Sequence, residues 1–267
     1  MTSSGTDAGV RRVSTAVDGD VWRVTLDSGE TGNALDLAMA GQLVAAFTGR
    51  PAETRAVLLT ARGERFCVGG DVRAFAAAED LGGHVRTLAA AWHEVVRAVL
   101  YCPVPVVAGV RGAVAGAAIG LLGACDLVVC GRSLKLHPGY ASLGLSPDGG
   151  SSWALTRALG APRALELLLT DGVLNAADAH TSGLVARLVD DEELAEESAG
   201  LARQIAAGPV RAMVRTRSLV RQAAVRSLAE QLDEEARLIE ESARDPEGRE
   251  GVRAFAERRQ PDFRGAE

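Results

Sequence analysis

Two glycine-rich stretches hold the most legible chemistry in this chain. They are Phe66-Cys67-Val68-Gly69-Gly70-Asp71, and Gly112-Ala113-Val114-Ala115-Gly116-Ala117-Ala118-Ile119-Gly120 running on to Cys125-Asp126. Each follows an apolar run, Ala56-Val57-Leu58-Leu59-Thr60 or Val104-Pro105-Val106-Val107-Ala108, and each leads into a segment of helical character. Glycine and alanine at such a junction leave backbone N–H groups open to close approach. Taken singly, the first stretch reads equally as an ordinary glycine turn and the second as a helix packed tightly on a sheet. Facing one point, the two would form a donor pair for a developing oxyanion, as enolate formation from a thioester requires.

Such chemistry also needs an acid or base. In Leu143-Gly144-Leu145-Ser146-Pro147-Asp148-Gly149-Gly150-Ser151, Asp148 follows a proline and precedes two glycines. It reads either as a turn former or helix cap, or as an acid aimed into a cleft. Tyr140 could line the pocket or donate a hydrogen bond. His137 precedes Pro138 with no carboxylate or serine partner in the local sequence. Ser151 and Ser152 lack the Gly-x-Ser-x-Gly nucleophile pattern, and helix capping accounts for them. His84 and His93 fall in a helical pattern and His180 at a helix–turn, so no metal ligand set emerges.

The elements that must position these residues follow from periodicity. Val21–Leu26 alternates as a strand, and Asp36 is the expected N-cap of a helix carrying Leu37, Met39, Ala40, Leu43, Val44 and Phe47. Next come a strand at Ala56–Thr60, the first glycine loop, a mobile segment through Gly82-Gly83, and a helix over His84–Leu100. Strands at Val104–Ala108 and Asp126–Cys130 flank the second glycine stretch, with a short strand expected within Ser133–Leu136. Helices follow at Ser151–Leu159 and Arg163–Thr170. From about Asp191 the pattern is helical, broken at Gly208-Pro209 and Asp245-Pro246. Strands early and helices late predict an α/β core with a helical appendage. Residues 1–12 read as a frayed tail, 13–200 as the core and 201–267 as the appendage.

Composition sets the bounds. The 267 residues are 47% hydrophobic and 24% charged with a formal net charge of −6, which suits a soluble globular protein and argues against nucleic acid or an anionic membrane as the main partner. Arg211, Arg215, Arg217, Arg221 and Arg226 read as a polar helix face. Cys67, Cys102, Cys125 and Cys130 lack zinc spacing and sit in apolar contexts, as buried free thiols of a reducing compartment do. With no apolar N-terminal segment or transmembrane-length run, a cytoplasmic location is expected.

The ordered motifs resemble the crotonase (enoyl-CoA hydratase/isomerase) superfamily over nearly the whole chain. The likeness runs from Gly32-Asn33-Ala34-Leu35 through Phe66–Asp71, Gly112–Asp126 and Leu143–Gly150 with Arg157, then through Ala176–Val185, to Gly251–Phe255 and Pro261–Phe263. The resemblance implies a spiral of ββα units with C-terminal helices that build trimers or dimers of trimers. It also implies an acyl-CoA substrate with no further cofactor. Gly70 and Ala117 map onto the two oxyanion-hole amides, and Val68, Asp71, Arg73 and Tyr140 onto substrate-binding positions, Asp71 and Arg73 toward the adenine and phosphates. The two glutamates of a hydratase are replaced by Gly120 and Tyr140, so standard hydration is not expected. Gly144-Leu145-Ser146-Pro147-Asp148 resembles the phenylacetate-pathway enoyl-CoA isomerases, which implies Asp148 as the proton shuttle of a double-bond isomerase. The alternatives are another crotonase reaction (atypical hydration or dehydration, C–C cleavage or thioester hydrolysis) or a non-catalytic acyl-CoA-binding paralogue.

Overall fold

The apolar runs become parallel strands covered on both faces, which is why they read as continuous rather than alternating. The computed structural model describes residues 10–266. Strands β1 (Val13–Asp18), β2 (Val21–Leu26), β3 (Ala56–Ala61), β4 (Val106–Val110), β6 (Leu127–Gly131) and β9 (Arg187–Val189) form a sheet in the order β1-β2-β3-β4-β6-β9. Only β1 and β2 pair antiparallel within it. A smaller sheet joins β5 (Ala113–Ala115), β7 (Lys135–His137) and β8 (Leu174–Asn175). Isolated bridges between Cys67 and Val114, and between Leu35 and Gly70, extend that second layer. Successive turns of chain therefore give one segment to each layer before entering a helix, which is the expected ββα spiral.

Side-chain alternation along the large sheet divides the core in two. Val57, Leu59, Val106 and Ala108 face a cluster shared with α1 (Leu37–Thr48), α3 (Leu81–Leu100) and α4 (Ala118–Ala124). Ala56, Leu58, Val107 and Val129 face α8 (Leu194–Ala206) through Leu201, Ala202 and Ile205. The boundary placed at residue 200 thus falls inside α8, whose apolar face belongs with the sheet. All four cysteines are free and buried, and burial pushes the Cys67 thiol up to about 12. No helix among the described residues is long and apolar enough to cross a membrane.

Several boundaries differ from the periodic reading for local reasons. β1 goes unread because most of its side chains beyond Val13 and Ser14 lie on the exposed edge of the sheet. β4 begins after Pro105, which has no N–H to give a ladder. Gly82 and Gly83, expected in a mobile segment, lie in the first turn of α3, where the Asp80 carboxylate accepts from Gly83 N–H at 3.0 Å. The rest of that segment holds a short helix, α2 (Val72–Ala77). The Pro-marked breaks hold: α9 (Val210–Gln222) starts after Pro209, and α11 (Pro246–Ala256) follows α10 (Leu228–Arg244). Residues 1–9 of the expected tail lie outside the described residues. Arg12 is held by Gln42 Oε1 at its N–H (2.8 Å) and by Asp36 at its guanidinium (2.8 Å).

Within the polar face that the arginines of α9 form, Arg217 and Arg221 turn inward as a latch. Asp126 accepts from the Val106 N–H at 2.8 Å and pairs with Arg217 at 3.2 Å and Arg221 at 2.9 Å. The same guanidinium groups donate to the carbonyls of Leu100, Cys102 and Ala124, which close the C-terminal ends of α3 and α4. Deeper in the appendage, buried Glu250 takes Arg259 at 3.0 Å, Arg253 at 2.7 Å and the Asp262 N–H at 2.9 Å, tying the last residues to α11. Those donors hold its carboxyl well below the ordinary glutamate value of 4.5.

Two outcomes are expected. Asp126→Ala leaves two half-buried guanidinium groups without their counter-charge and lowers unfolding free energy by about 3 kcal/mol, read by urea denaturation. A carboxyl depressed on folding contributes stability that is complete above its ordinary range and is lost as pH falls below it. Glu250→Gln therefore lowers the melting temperature near neutral pH, and its deficit against wild type shrinks below about pH 4.5. An unchanged deficit at acid pH contradicts this account.

Candidate active site

The two glycine stretches meet at the rim between the sheets, and the backbone explains why. Buried Asn33, in the left-handed region at φ 55°, accepts from Ser28 N–H at 2.8 Å and donates to the carbonyls of Arg62 and Arg65 at 3.0 and 2.9 Å. It thereby staples the loop before α1 to the loop after β3. Leu35 N–H then donates to Gly69 C=O at 2.8 Å, and Asp71 N–H to Leu35 C=O at 3.4 Å. Because a bridge uses the groups flanking Gly70 on one side, the Gly70 N–H points to the other side, toward the end of β5. There Gly116, at φ 55°, turns the chain into α4 and leaves the Ala117 N–H at the helix start. Among the described residues, neither the Gly70 nor the Ala117 N–H donates to a protein acceptor.

Gly70 and Ala117 both border a cavity of about 280 Å³. Its walls are largely apolar, with Phe75, Val85, Leu88 and Trp92 on one side and Leu143 and Leu145 on the other. Asp148 lines the same cavity. Buried Tyr140 donates its hydroxyl to Asp148 Oδ1 at 2.8 Å. The Tyr140 oxygen also lies 3.3 Å from Ser151 Oγ, whose own proton goes to Gly116 C=O at 2.8 Å. Burial, and then the charge of Asp148, push the Tyr140 phenol well above its ordinary value of 10, so it remains a donor. Of the two roles open to Tyr140 from sequence, lining the pocket and donating a hydrogen bond, it performs both.

The other expected residues separate. Val68 lines the cavity. Asp71 caps α2, accepting from the N–H groups of Arg73 and Ala74 at 3.0 and 3.3 Å, and Arg73 is exposed on α2. Neither borders the cavity, although their neighbours Val72 and Phe75 do. Three side chains that matter here were given only structural or capping roles by the sequence, or none. Trp92 donates its indole N–H to Ala117 C=O at 3.1 Å, His93 Nε2 accepts from Gly149 N–H at 3.1 Å, and Ser151 ties Gly116 to Tyr140. The helical spacing of Trp92 and His93 carries no signal of these partners, which come from other turns of the spiral.

Gly120, on α4, lies against the backbone of Gly149 and Gly150. A Cβ there would stand 1.9 Å from Gly149 O and 2.7 Å from the carbonyl carbons of both glycines. No carboxylate side chain fits at that position without moving the turn that carries Asp148.

Comparison with known proteins gives this site its family. The enoyl-CoA hydratase/isomerase family model matches residues 17–266. A Rhodobacter capsulatus protein named as a probable enoyl-CoA hydratase is 36% identical over 91% of this chain and 93% of its own length. The 1,2-epoxyphenylacetyl-CoA isomerase of Escherichia coli is 34% identical over 93% of this chain and 97% of its own. The crystal structure of an enoyl-CoA hydratase from Bacillus anthracis superposes with a TM-score of 0.89 at 28% identity, covering 96% of this chain and 100% of that one. With the ββα spiral and the paired free amides, these similarities place the chain in one family: it belongs to the enoyl-CoA hydratase/isomerase family of enzymes.

Proposed function

We propose that this enzyme is an acyl-CoA double-bond isomerase. The observation that carries the reading is a single anchored carboxylate, Asp148, in the cavity bordered by the two free amides. The positions where a hydratase of the family carries glutamates hold Gly120 and Tyr140. The likeness to the 1,2-epoxyphenylacetyl-CoA isomerase of Escherichia coli supports the same choice. An acyl thioester enters with its carbonyl oxygen against the N–H groups of Gly70 and Ala117. Asp148 takes a proton from the carbon next to the double bond, and the electron pair moves through to the thioester oxygen. Collapse of that enolate returns the proton from the Asp148 carboxyl to the other end of the three-carbon unit. The bond has then shifted between the 3- and 2-positions, or within a ring, with no net gain or loss of atoms. One carboxylate suffices for this relay because the proton leaves and returns at nearby carbons.

The amides matter most when the charge peaks on oxygen, where each preorganised donor is worth about 3–4 kcal/mol. Tyr140 holds one carboxylate oxygen and leaves Oδ2 for the substrate. The exposed guanidinium of Arg73, one residue beyond the cavity wall at Val72, suits the phosphates of coenzyme A. The appendage leaves Val220, Leu232, Ile239, Val252 and Phe255 exposed, and self-association as a trimer or dimer of trimers would cover such side chains.

The reaction is tested with a panel of linear and ring 3-enoyl-CoA thioesters in deuterated water, following double-bond migration and deuterium uptake. Asp148→Asn is expected to lower turnover roughly 10²–10⁴-fold while the fold and CoA binding persist. Full turnover in the variant, or hydration by the wild type, refutes the isomerase reading. Binding with neither exchange nor migration by the wild type favours the non-catalytic alternative. Light scattering at micromolar concentration is expected to give three or six times the chain mass, and a monomer there contradicts the assembly proposed.

A further inference from the structure

Two neighbouring side chains on α3 reach the two halves of the site from one rigid element. Trp92 is buried, and its indole N–H donates to the C=O of Ala117 at 3.1 Å, a residue that borders the cavity and whose own N–H has no protein acceptor among the described residues. The next residue, His93, uses Nε2 to accept the backbone N–H of Gly149 at 3.1 Å, on the residue after Asp148. Since the backbone nitrogen must be the donor, Nε2 is unprotonated and the ring proton of the neutral imidazole sits on Nδ1. Gly149 is itself wedged at this point. At φ +61°, any Cβ on it would meet Ala117 Cβ at 2.7 Å and Trp92 Cδ1 at 2.9 Å. Thus α3, the start of α4 and the Asp148 turn converge on one contact.

We propose that Trp92 and His93 are positioning residues that set the distance between the Ala117 oxyanion donor and the Asp148 carboxylate, an inference that rests on the proton-shuttle reading above. Tyr140 holds the carboxylate end of Asp148, and His93 holds its backbone end. The Gly149 N–H belongs to the peptide that joins Asp148 to Gly149, so its bond to His93 fixes rotation on the C-terminal side of the Asp148 Cα. Removing the acceptor strands a buried N–H and leaves that peptide held at its carbonyl alone, which accepts from the Ser151 N–H at 3.0 Å, so the turn loosens on the side that sets the carboxylate. A carboxylate that swings away from the substrate carbon costs proton transfer, whereas the apolar walls and the route of CoA are untouched. The effect therefore falls on kcat and spares KM.

The experiment compares His93→Leu with His93→Gln, whose amide oxygen can take the place of Nε2. His93→Leu is expected to lower kcat roughly 10- to 100-fold, the range for leaving a buried donor unpaired, with KM changed by less than about threefold. His93→Gln is expected to recover most of the loss. Equal kcat in His93→Leu and wild type, a loss carried by KM, or a Gln variant no better than Leu each overturns the proposal. A second measurement does not depend on activity or on a folded variant. Nitrogen-15 spectra of uniformly labelled wild type are expected to show Nε2 of His93 unprotonated, with the Gly149 amide protected from exchange. A protonated Nε2, or a freely exchanging Gly149 amide, rejects the hold. Turnover retained by Asp148→Asn would instead refute the proton-shuttle reading and leave these spectra to judge the contact itself.

Discussion

The site depends on a contact of backbone with backbone. α4 lies so close to the Gly149–Gly150 turn that a Cβ on Gly120 would come within 1.9 Å of the Gly149 carbonyl oxygen. Glycine is the residue type that permits that approach. One consequence is geometric: the turn carrying Asp148 sits directly beside the start of α4, so Asp148 and the open Ala117 N–H are brought to one wall. A second is chemical. Main chain leaves no room for a side chain at position 120, and Asp148 is the one acidic residue among the described residues that line the cavity.

Several groups that hold the site, Asn33, Asp126, Arg217 and Arg221 among them, do not themselves line the cavity. Asn33 satisfies three backbone groups across two loops and so fixes the Leu35–Gly70 bridge, which sets where the Gly70 N–H points. Arg217 and Arg221 clamp the ends of α3 and α4 around Asp126. α3 in turn carries Trp92 and His93. An enolate site works by aiming donors before charge develops, and donors that must reorganise lose much of their worth. The investment in buried polar staples is intelligible on that ground, since apolar packing alone does not set the direction of an N–H.

The electrostatics of the cavity follow the same economy. Tyr140 is kept protonated by burial and by the neighbouring carboxylate, so it always offers a proton to Asp148 Oδ1. Ser151 occupies the remaining side of the phenol oxygen and spends its own proton on Gly116. Among the described residues, the Gly70 and Ala117 N–H groups and the second carboxylate oxygen of Asp148 are left without a protein partner. Those three are the groups that a proton shift next to a thioester requires.

Much of this was legible from residue order. Continuous apolar runs announced strands, prolines marked the helix breaks at Pro209 and Pro246, and the glycine stretches exposed two open amides. The position of Asp148 after Pro147, and the absence of carboxylates at Gly120 and Tyr140, were likewise plain in one dimension. These are local properties: backbone freedom, missing donors and side-chain chemistry belong to single residues and their neighbours. The edge strand β1, the inward turn of the α9 arginines, the capping use of Asp71 and the partners of Tyr140, Trp92 and His93 were not legible. Each is decided by which distant segment arrives alongside, and a helix spacing such as that of Trp92 and His93 is the same whatever packs against it. The sequence by itself determined which groups were available for enolate chemistry. Only the tertiary structure decided which of them face one another, because hydrogen bonds and close backbone contacts are made across turns of the spiral that are far apart in the chain.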